Sequence, residues 1–338
     1  MKGSYIIVGE NIHCTRIRMT SGKFVETMKD GRSALVFKDG KEPRYMPIPQ
    51  TFIESEDWKN GKIRHVAAAI YQGLYGTDAE KEAGKAYVAA MAREQEAKGA
   101  WFLDLNVDEF SVDVKEKIKA IEWAAAVIQK AVSIPLSIDS SNPEILASGL
   151  AVCDKTKGKP LVNSVSLERA SSIPVAAKAK ACVIAGATGE TKMPDTVEER
   201  IANLERLVGM LTAQGFALSD IFLDPLVFPV SVNSKNGIMV IESVKALRAK
   251  YGKEIHFAPG LSNISFGLPK RNIVNQVFAY LCLKEGCDGG IVDPLQINDD
   301  VFAHLDTTSE AYRLTKELLL GNDEYGMNFI EASREGRI

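Results

Sequence analysis

Short, nearly continuous apolar runs recur along the chain, each ending in polar residues and each followed by a stretch of helical periodicity. Tyr5–Val8, Trp101–Asn106, Pro135–Asp139, Leu161–Val165, Ala181–Gly186, Ile221–Asp224, Ile255–Gly260 and Gly290–Asp293 read as strands. Between two of them, Val114, Ile118, Ile121, Ala125, Ile128 and Val132 recur at the three-to-four spacing of one helix face. Thr196 with Glu199 three residues on forms a capping box, and Val197, Ile201, Leu204, Val208 and Leu211 then share a face. Helices are also predicted over Ala79–Lys98, Pro143–Val152, Ile173–Lys178, Ile238–Lys250, Asn272–Gly286 and Ser309–Leu320, with Gly99 and Gly321 as stops. Strands apolar on both faces, joined by crossover helices, imply a parallel sheet covered on both sides. Eight such units point to a (β/α)8 TIM barrel of class α/β, ahead of a doubly wound open sheet. No GxGxxG follows the first strand, which weakens a dinucleotide-binding reading.

One stretch departs from this rhythm. Residues 13–65, directly after the first strand, hold eleven Lys and Arg against seven Asp and Glu, net +4, while the rest of the chain sums to −7. Within it, SALVFKDGKEPRYMPIP predicts a β-hairpin turning at Asp39-Gly40. The stretch is too short for a large core of its own, so it reads as an inserted excursion. The expected organisation is a single barrel over 1–321, this insertion, and a C-terminal tail over 322–338. The 338 residues carry 25% charged and 46% hydrophobic side chains with net charge −3, which gives no reason to expect nucleic acid as a partner. No apolar run approaches the roughly 20 residues that span a bilayer, and the N-terminal apolar stretch is too short for a signal sequence, so a cytoplasmic protein without a membrane partner is expected. The five scattered cysteines form no CxxC pair, against both a disulfide framework and a zinc knuckle. His13-Cys14 offers two ligand types side by side, too few for a metal without further partners.

The strand ends carry the candidate chemistry. Glu10 and Asn11, Asp104 and Asn106, Asp139 with Asn142, Asn163 with Ser164, Asp224, Asn263 and Asp293 all fall where an apolar run stops, which in a barrel is the carboxyl face that builds sites. Taken singly, Asp293 reads as a helix cap. After the seventh strand, GLSNISFGLPKR adds Ser265 and Arg271 beside Asn263. The set has no strand-end Lys for a Schiff base, no Ser/His/Asp order and no HExxH. Carboxylates and amides suit a flat heterocycle presenting both donors and acceptors, such as a pterin, because Asp accepts from an N–H/NH2 edge while Asn both donates and accepts. A metal held by Asp139, Asp224 and Asp293 is conceivable, but no tight cluster supports it.

LDLNV (Leu103–Val107), IDSSN (Ile138–Asn142), LVNSVS (Leu161–Ser166), LDP (Leu223–Pro225) and GLSNISF (Gly260–Phe266) occur in this order at strand ends. Together they resemble the pterin-binding methyltransferases that use methyltetrahydrofolate and a corrinoid, among them the enzyme serving the corrinoid iron–sulfur protein and the folate domain of cobalamin-dependent methionine synthase. The resemblance covers most of residues 1–12 and 76–297. It implies a barrel, often dimeric, that binds tetrahydrofolate or 5-methyltetrahydrofolate as substrate, and a corrinoid carried by a separate partner protein, since no second domain for one is present. Asp139, Asn163 and Asp224 match residues that hydrogen-bond the pterin ring, and Asn263 matches the Asn near N5. Asp104 and Asn106 match a second layer, and Arg271 the site's edge. On that reading Asn263, Asp224 and Asp139 are the catalytic candidates. A methyl group on a tertiary amine is a poor electrophile until N5 is protonated or strongly hydrogen-bonded. Positioned polar groups of this kind, with Asn263 at N5, then matter more than a strong acid.

Two departures from that family stand out: the 13–65 insertion, expected over the mouth as a folate cap, a corrinoid-protein contact or a surface decoration, and the tail with Tyr325, Met327, Phe329 and Ile330. Dihydropteroate synthase shares the implied barrel and pocket, but its Ser-Arg-Lys run after the seventh strand is here GLSNISF, and its Arg and His at the eighth are here GIVDP. A non-catalytic pterin-binding protein on the same barrel, and a methanopterin in place of folate, are both compatible with these residues.

Overall fold

The computed structural model describes residues 3–40 and 42–338. Eight strands form one parallel sheet; we number them β1 (Ile6–His13), β2 (Ala100–Asn106), β3 (Leu136–Asp139), β4 (Leu161–Val165), β5 (Cys182–Gly186), β6 (Ile221–Asp224), β7 (His256–Phe257) and β8 (Gly289–Val292). Their order across the sheet is β7-β6-β5-β4-β3-β2-β1-β8. Only β1 beside β8 breaks the sequential order, as a sheet that curls round to its own start requires. The remaining edges meet through Ile291, whose N–H donates to the Pro259 carbonyl at 2.9 Å, with Gly260 bridging Ile291 in parallel. The fold is the predicted (β/α)8 barrel. Each strand is followed by at least one helix, and both faces are covered: Val8, Leu103, Leu105, Ile138, Val162, Val183, Leu223 and Phe257 are all shut off from solvent.

The chain divides into two compact units. The first comprises residues 1–9, 98–101 and 164–338 and holds β5 to β8 with the helices Val197–Ala213, Asn236–Tyr251 and Arg271–Lys284. The tail belongs to it. Helix Met327–Arg334 buries Phe329 and Ala332, and its N-terminus is held by Asp323, whose carboxylate accepts from the Phe329 N–H at 3.0 Å.

The second unit comprises 10–97 and 102–163. Here β1 runs further than the sequence pattern predicts, through Glu10 to His13. The reason lies in its alternation: Asn11 and His13 keep part of their surface open while Ile12 between them is fully buried, the period of two of a strand lining a site. The excursion contains the expected hairpin, Ser33–Lys38 paired antiparallel with Pro43–Pro47, and Gly40 takes φ +91° in its turn. A short strand, Val25–Thr27, makes it a three-stranded sheet. The hairpin does not sit over the strand ends. It packs on the helix layer: Ala34, Leu35 and Met46 are fully buried, Phe37 meets Tyr87 edge-on at 5.1 Å, and the Pro47 carbonyl accepts from buried Gln72 at 2.7 Å. A second piece, the ribbon Ile17–Met19 with Lys62–Arg64, stays near the strand ends, where Arg16 donates to the Glu10 carbonyl and Arg64 pairs with Glu109 in the loop after β2. Helix His65–Tyr75 then precedes the crossover helix Asp78–Ala97. Residue 41 of the hairpin turn lies outside the described residues.

Candidate active site

The second unit builds its strand ends into one hydrogen-bonded network centred on Asp104. β2 presents Asp104 and Asn106 two residues apart, hence on one face. Asp104 is fully buried and accepts from three side chains: from Ser137 Oγ, from His13 Nε2 at 2.7 Å, and from Asn163 Nδ2 at 3.2 and 3.3 Å. Nearer the surface, Asn106 Nδ2 donates to Asp139 at 3.0 Å, while its own oxygen accepts from the Asp108 N–H at 3.0 Å and so fixes the amide's orientation. Asp139, Asn163, Asn106 and His13 each keep an edge open to solvent. A buried, saturated carboxylate therefore underlies a layer of reachable groups.

Electrostatics follow from this stacking. Burial raises the Asp139 carboxyl to about 7, with the Asp104 charge adding to the shift and His13 opposing it. Burial alone would lower the His13 imidazole, but the hydrogen bond and charge of Asp104 outweigh it and raise it above its ordinary value. Among the described residues, His13, Asp104 and Asp139 lie close enough to hold a cation. The donors already on Asp104 occupy its lone pairs, so a metal there would have to displace His13 from its partner; the arrangement is that of a hydrogen-bond network.

The first unit supplies a second set. Asp224 ends β6, and one of its oxygens accepts from the Leu226 N–H at 2.8 Å while the Gly260 N–H supplies another bond. Burial raises its carboxyl to about 6 even so, these bonds and Arg200 lowering it again. The turn that follows holds Leu226 at φ +64°, a left-handed conformation costing a branched side chain about 1–2 kcal/mol. Asn263 lies in the 3-10 turn Leu261–Ser265, and its side chain is exposed. A side chain on Gly260 would come within 3.0 Å of the Asn263 amide nitrogen, so that glycine lets the asparagine fold back over the strand end.

Other predicted residues have structural duties. Asn142 caps helix Pro143–Ala151, accepting from the Glu144 N–H at 2.8 Å. Asp293 accepts from the Leu295 N–H at 3.0 Å within a turn and caps no helix: the helix that follows, Asp299–His304, is capped by Asn298. Ser265 is fully buried and bonds Arg271 Nε at 2.9 Å; Arg271 also donates to the Ser262 carbonyl and lies over the Phe266 ring. Ser164 accepts from Arg169 at 2.9 Å. Glu10 is buried and its carboxylate pairs with Arg16 at 2.9 Å, while the Asn11 N–H donates to Gln95. Sequence reasoning weighs His13 only as a metal ligand and misses Arg200. The apolar pattern stops short of His13, although the alternation through Ile12 signals that the strand continues. Arg200 lies on the apolar stripe of its helix, four, seven and eleven residues before Leu204, Leu207 and Leu211, and is fully buried.

A barrel whose strand ends carry Asp and Asn in this pattern is that of the pterin binding enzymes, and residues 78–293 match that family. The chain belongs to it. At 29% identity, it is similar over 82% of its length to 95% of a methylcorrinoid:tetrahydrofolate methyltransferase from Eubacterium limosum. Among solved structures, a dihydropteroate synthase from Xanthomonas albilineans with 7,8-dihydropteroate superposes with TM-score 0.53 at 16% identity, covering 67% of this chain and 86% of that one. A Yersinia pestis dihydropteroate synthase gives TM-score 0.50 at 16% identity over 63% and 84% of the two chains. Both show the fold alone.

Proposed function

We propose that this protein moves a methyl group between N5 of tetrahydrofolate and the cobalt of a corrinoid held by a separate protein. The observation that carries the reading is the nature of the polar groups at the strand ends. They are carboxylates and amides with edges left open, backed by a buried carboxylate, and the similarity to a methylcorrinoid:tetrahydrofolate methyltransferase covers 82% of this chain and 95% of that relative. On this reading Asp139 and Asp224 accept from the N–H/NH2 edge of the pterin and Asn163 reads its donors and acceptors. Asn106 and Asp104 hold Asp139 and Asn163 in place. Asn263, exposed and adaptable, donates to N5 so that the amine becomes a better leaving group as cobalt attacks in line, and accepts when the methyl moves the other way. The corrinoid supplies the cobalt nucleophile or methyl donor; the residues of this chain bind, orient and manage the proton at N5. Glu10, Asn142, Ser164, Ser265 and Arg271 act behind these groups as supports.

Dihydropteroate synthesis is the second reading, favoured by the shared fold. It requires cations at the ends of β7 and β8, where this chain has Asn263 and Asp293. The deciding experiment mixes the protein with reduced cobalamin and methyltetrahydrofolate and follows cob(I)alamin absorbance. Protein-dependent conversion to methylcobalamin is expected. Saturable pterin binding with no methyl transfer, even with a corrinoid protein added, would overturn the proposal. A homodimer working in the cytoplasm completes the proposal, and a monomer in sedimentation would remove its dimer.

A further inference from the structure

Arg200 is the largest fully buried side chain among the described residues, and its surroundings are unusual for a cation. Buried arginines are normally matched by a carboxylate, because an uncompensated charge in a low-dielectric site is strongly unfavourable. Here no carboxylate of the described residues lies within ion-pair distance. Nε donates instead to the Pro225 carbonyl at 3.0 Å and Nη1 to the Thr196 carbonyl at 3.2 Å, while the guanidinium lies 5.4 Å from the centre of the Phe228 ring. Nη2 is buried and meets no acceptor among the described residues.

What the guanidinium grips is the turn that carries Asp224. Pro225 follows Asp224 directly, and the next residue, Leu226, is the one held left-handed at φ +64° with its N–H on the Asp224 carboxylate at 2.8 Å. A leucine prefers to leave that conformation, and leaving it would withdraw the N–H and swing the carboxylate away. The bond from Arg200 to the intervening carbonyl opposes that motion from below.

We propose that Arg200 is the positioning residue for Asp224: it clamps the Pro225 carbonyl, holds the left-handed Asp224–Leu226 turn, and so presents the carboxylate in the geometry that a pterin N–H/NH2 edge requires. The last clause rests on the functional reading above; the clamp itself does not. Charge supports the assignment. Arg200 acts on Asp224 to favour its ionised form against burial, and Asp195 and Glu199 in turn act on Arg200. Cys287, leading into β8, feels the Asp224 charge as well, and its thiol is itself raised by burial.

The test uses Arg200→Met, Arg200→Lys, Leu226→Gly and the double variant Arg200→Met/Leu226→Gly, each with three readouts. These are the 13C-detected titration of the Asp224 carboxyl, amide exchange at position 226, and affinity for methyltetrahydrofolate. Arg200→Met is expected to move the Asp224 titration to higher pH, to speed exchange at position 226 about tenfold or more, and to weaken folate binding by a similar factor. Glycine adopts a left-handed turn without strain, so Leu226→Gly in the Arg200→Met background is expected to recover much of the lost affinity. A role in packing alone predicts further loss instead. Arg200→Lys keeps the charge without the fork; it should titrate like the wild type and still exchange faster. If Arg200→Met does not fold, Arg200→Lys carries the exchange test. Wild-type titration and exchange in a folded Arg200 variant would overturn the clamp. Wild-type protein that binds no pterin would sink the methyl-transfer reading, and the titration and exchange results then decide the clamp independently.

Discussion

Asp139→Asn separates function from stability at a single atom. In the folded protein this carboxyl is raised to about 7 from its ordinary 3.8, first by burial and then by the Asp104 charge beneath it. The unfolded chain releases the proton near pH 4 and the folded one near 7, so between those values the folded state holds the extra proton and stability falls as pH rises. Above 7 the penalty is complete. About three pH units correspond to roughly 4 kcal/mol, an upper bound that the open edge of Asp139 reduces. Asparagine removes the charge while its oxygen still accepts from Asn106. The variant should therefore be more stable than the wild type by about 1–3 kcal/mol at pH 8.5, with the gain shrinking toward pH 5. Pterin binding should move the other way, because the amide replaces one of the two acceptor oxygens by an NH2 donor that meets a pterin donor: a loss of about 2–4 kcal/mol, or about 30-fold to 1,000-fold in affinity, is expected. Urea denaturation at both pH values and a methyltetrahydrofolate titration give the answer. A variant less stable at pH 8.5, or a gain that does not shrink on acidification, refutes the electrostatic reasoning. Undiminished affinity refutes the role at the pterin. Such a trade-off is the signature of a carboxylate kept for its ligand.

Asn263→Ala should lower methyl transfer far more than folate affinity, since its side chain is exposed and its proposed bond to N5 strengthens in the transition state; equal losses in single-turnover rate and affinity would remove it from N5. His13→Gln should destabilise the protein more at pH 6 than at pH 9. The Asp104 bond raises the imidazole, so its contribution is full below the unfolded value near 6.5 and fades as pH rises through the folded one, and denaturation curves that differ from wild type equally at both pH values would contradict this. Met46→Ala, in a hairpin strand packed on the helix layer, should cost about 2–5 kcal/mol in urea denaturation. A cost below about 0.5 kcal/mol would mean the hairpin is a detachable decoration after all.

The sequence alone determined the alternation of strands and helices, the hairpin at Asp39-Gly40, and the polar residues at strand ends, because each depends on local periodicity and turn chemistry that neighbouring residues dictate. It did not separate those strand-end residues by duty. Asn142 and Asp139 look alike in IDSSN, yet one caps a helix and the other faces the open edge of a buried network, a distinction made by what β2 and β4 bring alongside. The same holds for His13. Its partner Asp104 stands ninety-one positions away, and only the pairing of distant strands turns a residue beside a cysteine into the neighbour of a carboxylate. Arg200 is hidden in the sequence for the converse reason: a lone charge on an apolar stripe resembles a surface residue until the fold closes over it. Periodicity is local and survives in one dimension, whereas burial, partnership and charge state belong to side chains that meet only when the sheet has closed.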